Sequence, residues 1–309
     1  MKPPTVPRGR FAPSPTGPLH MGSLVAALGS FLNVRQQDGE WLVRIDDIDT
    51  PRNVPQMEQA ILLTLEQHAL QWDGDVYYSS QHLVDYEQVL RALQAAGQVF
   101  PCTCSRREIS NHPINNQRQT GDTLIYPGTC RAGVTADKPL RSYRLRVPTS
   151  AIEFMDLLQG PQADTLAISV GDFVVKDGQG QHHYQLATVV DDQIQQITEV
   201  VRGADLLAST ARQIHLQNQL GYRQPKYLHL SLVTDALGIK LSKQHGATAV
   251  DNTLAGQNLI TALTLLQQQP PDELQHVPPA GIIRWAIEHW NREPLKSFPI
   301  ATLPTTLPD

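Results

Sequence analysis

Long apolar runs are missing from this 309-residue chain. None approaches the roughly 18 residues that a membrane-spanning helix needs, and the opening MKPPTVPRGR has no apolar core of the kind that directs secretion. The expectation is a soluble, cytoplasmic protein with no membrane partner. Cysteine is scarce: Cys102, Cys104 and Cys130 are an odd number and make no disulfide framework. A reducing compartment fits, and bound metal or spare thiols are the two readings left. A basic excess is missing as well. The net charge of -5 excludes the global positive field of a non-specific nucleic-acid binder. A local basic face stays open, because Arg106, Arg107, Arg118, Arg131, Arg141, Arg144 and Arg146 fall in one stretch; a solvated surface is the alternative. What is present, 40% hydrophobic and 18% charged residues, suffices for the core of one large or two ordinary domains.

The apolar pattern predicts a strand at Gly9 to Pro13, a glycine turn at Thr16 to Pro18, and a helix from about His20 to Gln37. A strand over Trp41 to Ile45 and a helix marked by Val54, Met57, Ile61 and Leu65 follow. A further helix fits Leu83 to Ala96 with Gly97 as its stop, then a third strand over Val99 to Cys102. This βαβα rhythm argues for a parallel sheet. It breaks between Cys102 and Pro148, which reads as an inserted subdomain holding the alternating strand Tyr143, Leu145, Val147. Strand and helix signals resume at Phe173 to Val175, a hairpin-like Asp177 to Gly180, the run Tyr184 to Val190, Ile197 to Val201, and Asp205 to Leu220 ended by Gly221. Leu228 to Val233 leads to a turn at Asp235 to Gly238, and small helices fit Leu259 to Gln267 and Ile282 to Trp290. The proline-rich tail from Pro294 to Asp309 is expected to be loose. The expected organisation is residues 1–101 and 149–250 as two halves of one α/β domain, 102–148 as the insert, and 251–309 as a short helical region. There is no internal repeat, and no feature marks an obligate protein partner.

Three sets of residues carry chemistry. The first is the run Arg10, Phe11, Ala12, Pro13, Ser14, Pro15, Thr16, Gly17, Pro18, Leu19, His20, Met21, Gly22, Ser23. A glycine turn opening a helix presents backbone N–H groups and the positive end of the dipole, which suits phosphates. Gly22 lets a nucleotide approach the backbone, and His20 can donate to a phosphate oxygen as charge builds. A helix-capping turn with a surface histidine is the plainer alternative. The second is the basic segment Lys240, Leu241, Ser242, Lys243, Gln244, some 220 residues after His20. The third is the cysteine set. Cys-x-Cys is tighter than the usual metal-binding spacing, and zinc takes four ligands, so a fourth donor such as a water, His112 or Asp122 would be needed beside the three thiolates.

Taken together and in this order, the first two sets resemble the "HIGH" and "KMSKS" signatures of the glutamyl branch of class I aminoacyl-tRNA synthetases. The resemblance runs from Arg10 to about Gln244. It implies a Rossmann-like class I catalytic domain, a parallel sheet with helices on both faces, an inserted zinc-binding, acceptor-type subdomain and a short helical C-terminal region. It implies that His20, Gly22, Ser23, Lys240, Ser242 and Lys243 bind ATP accompanied by Mg²⁺. Lys243 would close on the triphosphate and stabilise in-line transfer. The protein then supplies position and charge, and the amino acid's own carboxylate is the nucleophile.

By the same resemblance L-glutamate is held by Arg10, Phe11, Ala12, Pro13, Ser14, Asp46, Tyr184 and Arg202. The arginines suit its carboxylates, and Asp46 and the Tyr184 hydroxyl suit its ammonium. Read without the family, Asp46, Asp47 and Asp49 are a solvated strand end as readily as a site, and Tyr184 a core aromatic. Asp46 stands where the family carries glutamate; one methylene shorter, it would reach through a water. The loop ends in Gln244 and His245 where the signature has serine, a form similar to that of the shortened glutamyl members. Cys102, Cys104, Tyr126 and Cys130 match the structural zinc site of those shortened members.

Only 65 residues follow Gln244 (309 − 244), where full glutamyl members continue into anticodon-reading helices. That matches the branch that attaches glutamate to the queuosine base of tRNA(Asp). The expected acceptor is then tRNA(Asp) carrying queuosine, read as a splayed anticodon-loop base. Two rivals stand beside it. One is a glutamyl-tRNA charging enzyme helped by a separate anticodon-binding subunit. The other is a non-catalytic paralogue that senses tRNA or an amino acid.

Overall fold

The computed structural model of the chain describes residues 6–118, 123–134, 137–234, 248–297 and 300–302. The first third alternates, with β3 the one element that the apolar pattern did not predict: β1 (Arg8–Phe11), α1 (Met21–Arg35), β2 (Glu40–Ile45), α2 (Met57–Gln67), β3 (Tyr77–Tyr78) and α3 (Leu83–Ala95). Then come β4 (Val99–Cys102), α4 (Arg106–Ser110), β5 (Ser142–Leu145), β6 (Ile152–Asp156), β7 (Gly160–Asp164), α5 (Leu166–Ser169) and β8 (Phe173–Asp177). The second α/β run is α6 (Tyr184–Ile194), β9 (Glu199–Gly203), α7 (Leu207–Leu220), β10 (Lys226–Leu230) and β11 (Leu232–Thr234). It is followed by α8 (Ala255–Leu265), α9 (Pro279–His289) and β12 (Ile300–Thr302).

In the catalytic core β1 pairs in parallel with β2, β2 with β3, β9 with β10, and β10 with β6. The two halves meet at β1 and β9. There the Arg8 amide donates to Thr198 Oγ1 at 2.8 Å and the Thr198 amide donates to the Arg8 carbonyl at 2.9 Å. β7 closes the far edge antiparallel to β6. Every residue of α1 from Leu24 to Val34 except Ala26 is buried. A helix apolar on all sides belongs inside, and α1 lies between the sheet and the α8–α9 pair. Gly29 permits this: a Cβ there would sit 2.8 Å from Leu230 Cδ1. Burial of side chains such as Leu24, Leu28 and Leu32 contributes roughly 1.5–3 kcal/mol each. One apolar core surrounds α1, α2, α8 and α9; a second joins α3, α6, α7 and the strands between them. The result is an α/β architecture with a mostly parallel sheet and helices on both faces.

Three expectations need correction. β4 does not extend the parallel sheet. It pairs antiparallel with β5, which pairs antiparallel with β8, so one small sheet draws strands from 99–102, 142–145 and 173–177. The third parallel strand is instead β3, whose two residues are too short to show an alternation. The β6–β7 hairpin went unread because its second strand, Gly160, Pro161, Gln162, Ala163, Asp164, holds few β-formers. Nor is the tail wholly loose: β12 pairs in parallel with β11. Among the described residues no helix is long and apolar enough to cross a membrane.

Candidate active site

β1 delivers the chain to a turn at the sheet's C-terminal edge, where the Thr16 amide donates to the Ser14 carbonyl. α1 opens immediately after. His20 is its N-cap: Nδ1 accepts from the Ser23 amide at 3.3 Å, which leaves the ring proton on Nε2. Capping and cleft-lining are therefore one arrangement, because His20, Gly22 and Ser23 all face a cavity of about 300 Å³. No acidic side chain occupies the first turn of α1, so nothing there opposes a bound anion. Lys240, Ser242 and Lys243 lie outside the described residues. The chain on either side of that segment is at the cleft: Leu232 and Val233 line it, and Ala249 bridges the His20 backbone.

Arg10, Phe11, Ala12, Pro13, Ser14, Tyr184 and Arg202 line the same cavity. Residues far apart in sequence meet there because β1 and β9 are neighbours and α6 begins at Tyr184. Tyr184 is half-buried at the cleft wall and is no core aromatic. Arg10 is buried, with Nε 3.2 Å from Asp192 Oδ1. Arg202 is also buried: Nε donates to His229 Nε2 at 3.0 Å and Nη2 to Thr210 Oγ1 at 2.9 Å, while Nη1 has no protein partner. A buried guanidinium with a spare N–H pair beside a cleft suits a ligand carboxylate.

Asp46 is the exception. It lines an adjoining cavity of about 380 Å³ that shares only Ser14 and Tyr184 with the first. Its Oδ1 accepts from Arg44 Nε at 2.8 Å and from Ser79 Oγ at 3.1 Å, so it is no solvated strand end. Alternation along β2 and just beyond puts Arg44 and Asp46 on one face, where both turn inward.

Below the two cavities lies a charge cluster that the sequence reading did not assign. Arg44 is fully buried, within 2.7 Å of Asp192 and 3.7 Å of Asp191. Tyr77 and Tyr86 donate to Asp191 Oδ1 and Ser79 donates to Oδ2. Burial penalises the Arg44 charge, yet Asp46, Asp192 and Asp191 outweigh it and raise its pKa above the ordinary value. The neighbouring aspartates diverge. Burial raises the pKa of Asp191 against the pull of Arg44; burial also opposes ionisation of Asp192, but Arg10 and Arg44 prevail and lower it. The available signal was two adjacent aspartates directly after the apolar-rich helical run Tyr184, Gln185, Leu186, Ala187, Thr188, Val189, Val190.

Cys102, Cys104 and Cys130 converge, with ligand atoms all within 4.8 Å of one another, and could hold a metal ion. The Tyr126 hydroxyl lies 3.5 Å from Cys102 Sγ and accepts from the Cys130 amide at 2.8 Å. Three thiols and a phenol facing one point form a donor set that fits a zinc ion. His112 is not in the converging set, and Asp122 lies outside the described residues. The arginine stretch divides. Arg131 pairs with Asp172, Arg144 donates to the Asp172 carbonyl and Cys102 Sγ, and Arg146 donates to the Gly97 and Arg131 carbonyls. Arg106 and Arg141, with Arg144 and Arg212, line a groove of about 750 Å³ that shares His183 with the Asp46 cavity.

Comparison with known proteins places this geometry. Residues 7–271 match the family model of the catalytic domain of class I tRNA synthetases (E and Q). A glutamyl-Q tRNA(Asp) synthetase from Aromatoleum aromaticum is 48% identical over 92% of this chain and 88% of its own length. One from Dechloromonas aromatica is 48% identical over 96% and 98%. Among solved structures, a glutamate tRNA ligase from Elizabethkingia meningosepticum in complex with its amino acid superposes with a TM-score of 0.80 at 22% identity. The match covers 96% of this chain and 67% of that one, and shows a shared fold. With the class I catalytic match over most of its length and relatives near half identical almost end to end, the chain is a ligase that belongs to the glutamyl-Q tRNA(Asp) synthetase family of class I aminoacyl-tRNA synthetases.

Proposed function

We propose that the chain activates L-glutamate with ATP and transfers it to the queuosine base in the anticodon loop of tRNA(Asp). What supports this reading is one cleft lined both by the first turn of α1 and by Arg202, whose buried Nη1 has no partner in the protein. A glutamate α-carboxylate oxygen attacks the α-phosphorus, the bond to the bridging oxygen breaks, and pyrophosphate leaves. A hydroxyl of the queuosine cyclopentenediol then attacks the adenylate carbonyl, loses its proton, and AMP leaves. Arg10 and Arg202 hold the amino acid's carboxylate charge, and Tyr184 with Phe11 to Ser14 shapes the wall. Asp46 acts on the ammonium from the adjoining cavity through a water.

His20, Gly22 and Ser23 receive the phosphates, with Lys240, Ser242 and Lys243 completing that end. Mg²⁺ accompanying ATP would neutralise triphosphate charge. Cys102, Cys104, Tyr126 and Cys130 would hold one structural Zn²⁺. The arginine groove is the surface of fitting charge along which the RNA reaches the Asp46 cavity. Residues 102–148 are the inserted subdomain between the catalytic segments 1–101 and 149–250, and 251–309 are the short helical C-terminal region, whose α8 and α9 contact α1. A cytoplasmic location fits these partners.

The test supplies the protein with ATP, Mg²⁺ and labelled glutamate, and offers tRNA from cells that make or lack queuosine. Label on the queuosine-containing pool alone is the expected result. Label on both pools would replace this reading with 3′-end charging. No label on either, and no glutamate-dependent ATP–pyrophosphate exchange, would leave a binding role only.

A further inference from the structure

Arg202 is not held by a carboxylate. Its Nε–H points at a histidine nitrogen, and that contact demands a particular proton placement. His229, fully buried on β10, is the register partner of Arg202 on β9. Its Nε2 lies 3.0 Å from Arg202 Nε and 3.2 Å from Thr210 Oγ1, and its Nδ1 lies 2.6 Å from Asp156 Oδ2. Arg202 Nε can only donate, so His229 Nε2 must accept. The ring proton therefore sits on Nδ1 and is given to Asp156. Asp156 is itself locked: Oδ1 accepts the amides of Leu158, Gln159 and His229, leaving Oδ2 for the imidazole.

We propose that Asp156 and His229 are positioning residues that fix the neutral Nδ1–H form of the imidazole, and thereby aim the guanidinium of Arg202 so that Nη1 meets the carboxylate of the bound amino acid. The inference rests on the reading of Arg202 as a glutamate ligand. A carboxylate partner in place of His229 would neutralise Arg202 and weaken its call on the ligand. A neutral imidazole holds the orientation and leaves the positive charge for the ligand. Burial keeps His229 below its ordinary pKa, against the pull of Asp156, which agrees with a neutral ring.

Asp156→Asn tests this with little change of shape. The asparagine carbonyl can keep the three amide bonds, while its NH₂ faces Nδ1 and forces the ring proton onto Nε2, against Arg202. The expected result in ATP–pyrophosphate exchange is a KM for glutamate raised roughly tenfold or more, with the KM for ATP unchanged. His229→Gln, whose carbonyl can accept from Arg202, should stay closer to wild type than His229→Leu. ¹⁵N spectra of the ring, assigned by its loss in His229→Gln, should show Nε2 unprotonated in the wild type and protonated in Asp156→Asn. A proton on Nε2 in the wild type overturns the proposal, whatever the activity. So does an unchanged glutamate KM in Asp156→Asn when the wild type is active. Wild-type protein that exchanges no pyrophosphate with glutamate defeats the functional reading instead, and the spectra still decide the proton's place.

Discussion

The floor of the cleft and the cysteine cluster solve opposite electrostatic problems. Under the cleft, two buried arginines, Arg10 and Arg44, face Asp46, Asp191 and Asp192, and two tyrosines and a serine supply the remaining hydrogen bonds. Charges of both signs are present, so most of the charge is compensated by the protein alone. The cysteine cluster gathers groups of one kind: three thiols and a phenol, with Cys104 and Cys130 sulfurs 3.5 Å apart. Their protonation is uneven. Burial pushes Cys104 up to about 12, whereas hydrogen bonds from the Thr103 backbone, Tyr126, Cys104 and the Thr103 side chain outweigh burial and bring Cys130 down to about 7. The Arg144 guanidinium, over the Tyr126 ring at 4.0 Å and 3.4 Å from Cys102 Sγ, is the cation this cluster has among its hydrogen-bond partners. The local core is small, with Phe100 and Ile109 the apolar residues buried beside Cys102, Tyr126 and Cys130. One region is balanced by its own side chains; the other is a donor set that could hold a metal ion.

The comparison breaks most visibly if the cleft floor tolerates loss of its central cation. Arg44→Met removes the cation shared by three carboxylates and leaves only Asp192 with an arginine partner, and chemical denaturation is expected to show a loss of about 3–5 kcal/mol. A loss within error of zero would mean that the aspartates accept protons at no cost. Chelation should act more locally. Hydrogen exchange is expected to accelerate over Val99–Cys102 and 123–134 while α1 and β1 keep their protection, and Cys130→Ser should reproduce the effect without chelator. Acceleration spread evenly over both regions would remove the distinction.

A smaller effect is expected from Gly171→Ala. This glycine has φ +69°, and a Cβ would stand 2.4 Å from the Tyr126 carbonyl oxygen, so the substitution shifts Tyr126 without touching a thiol. Stability should fall by about 1–3 kcal/mol and zinc affinity by roughly tenfold. Unchanged affinity would take Tyr126 out of the ligand set.

The smallest effect sharpens the comparison inside the cleft floor, in urea melts from pH 7 down to pH 3. Asp191 has a raised folded pKa, so its ionisation penalty is present above that value and is relieved as pH falls through it toward the ordinary aspartate range. Asp192 has a lowered folded pKa, so its contribution persists above the unfolded value and is lost as pH falls through the folded one. Asp191→Asn is expected to change the upper part of the acid profile and Asp192→Asn the lower. Identical changes would show the pair titrating as a unit.

How much was legible differs residue by residue. The α1 entry could be read because a glycine turn, a capping histidine and an apolar helix are contiguous, and local chemistry suffices to place them. The three cysteines could be read because they are the only ones in the chain. Arg44 and Asp191 could not, because a charged residue in a strand and one in a helix look solvent-facing until the pairing that buries them is known. β4 was assigned to the wrong sheet for a related reason: four apolar residues show that a strand exists and say nothing of its partner. That Asp46 would line the adjoining cavity with its Oδ1 held by Arg44, two residues earlier on the same face, was not legible either, because it depends on the same packing.

The sequence by itself determined most of the alternation of elements, the glycine turn and capped start of α1, the cysteine set, and through its motifs the family. Only the tertiary structure decided that Arg10, Tyr184 and Arg202 share one wall, that Arg44 is neutralised by aspartates about 150 residues away (192 − 44 = 148), and that His229 rather than a carboxylate holds Arg202. The physical reason is range. Periodicity and capping act within a few residues of the chain, whereas the charge balance of a buried site is set by which strands and helices pack together.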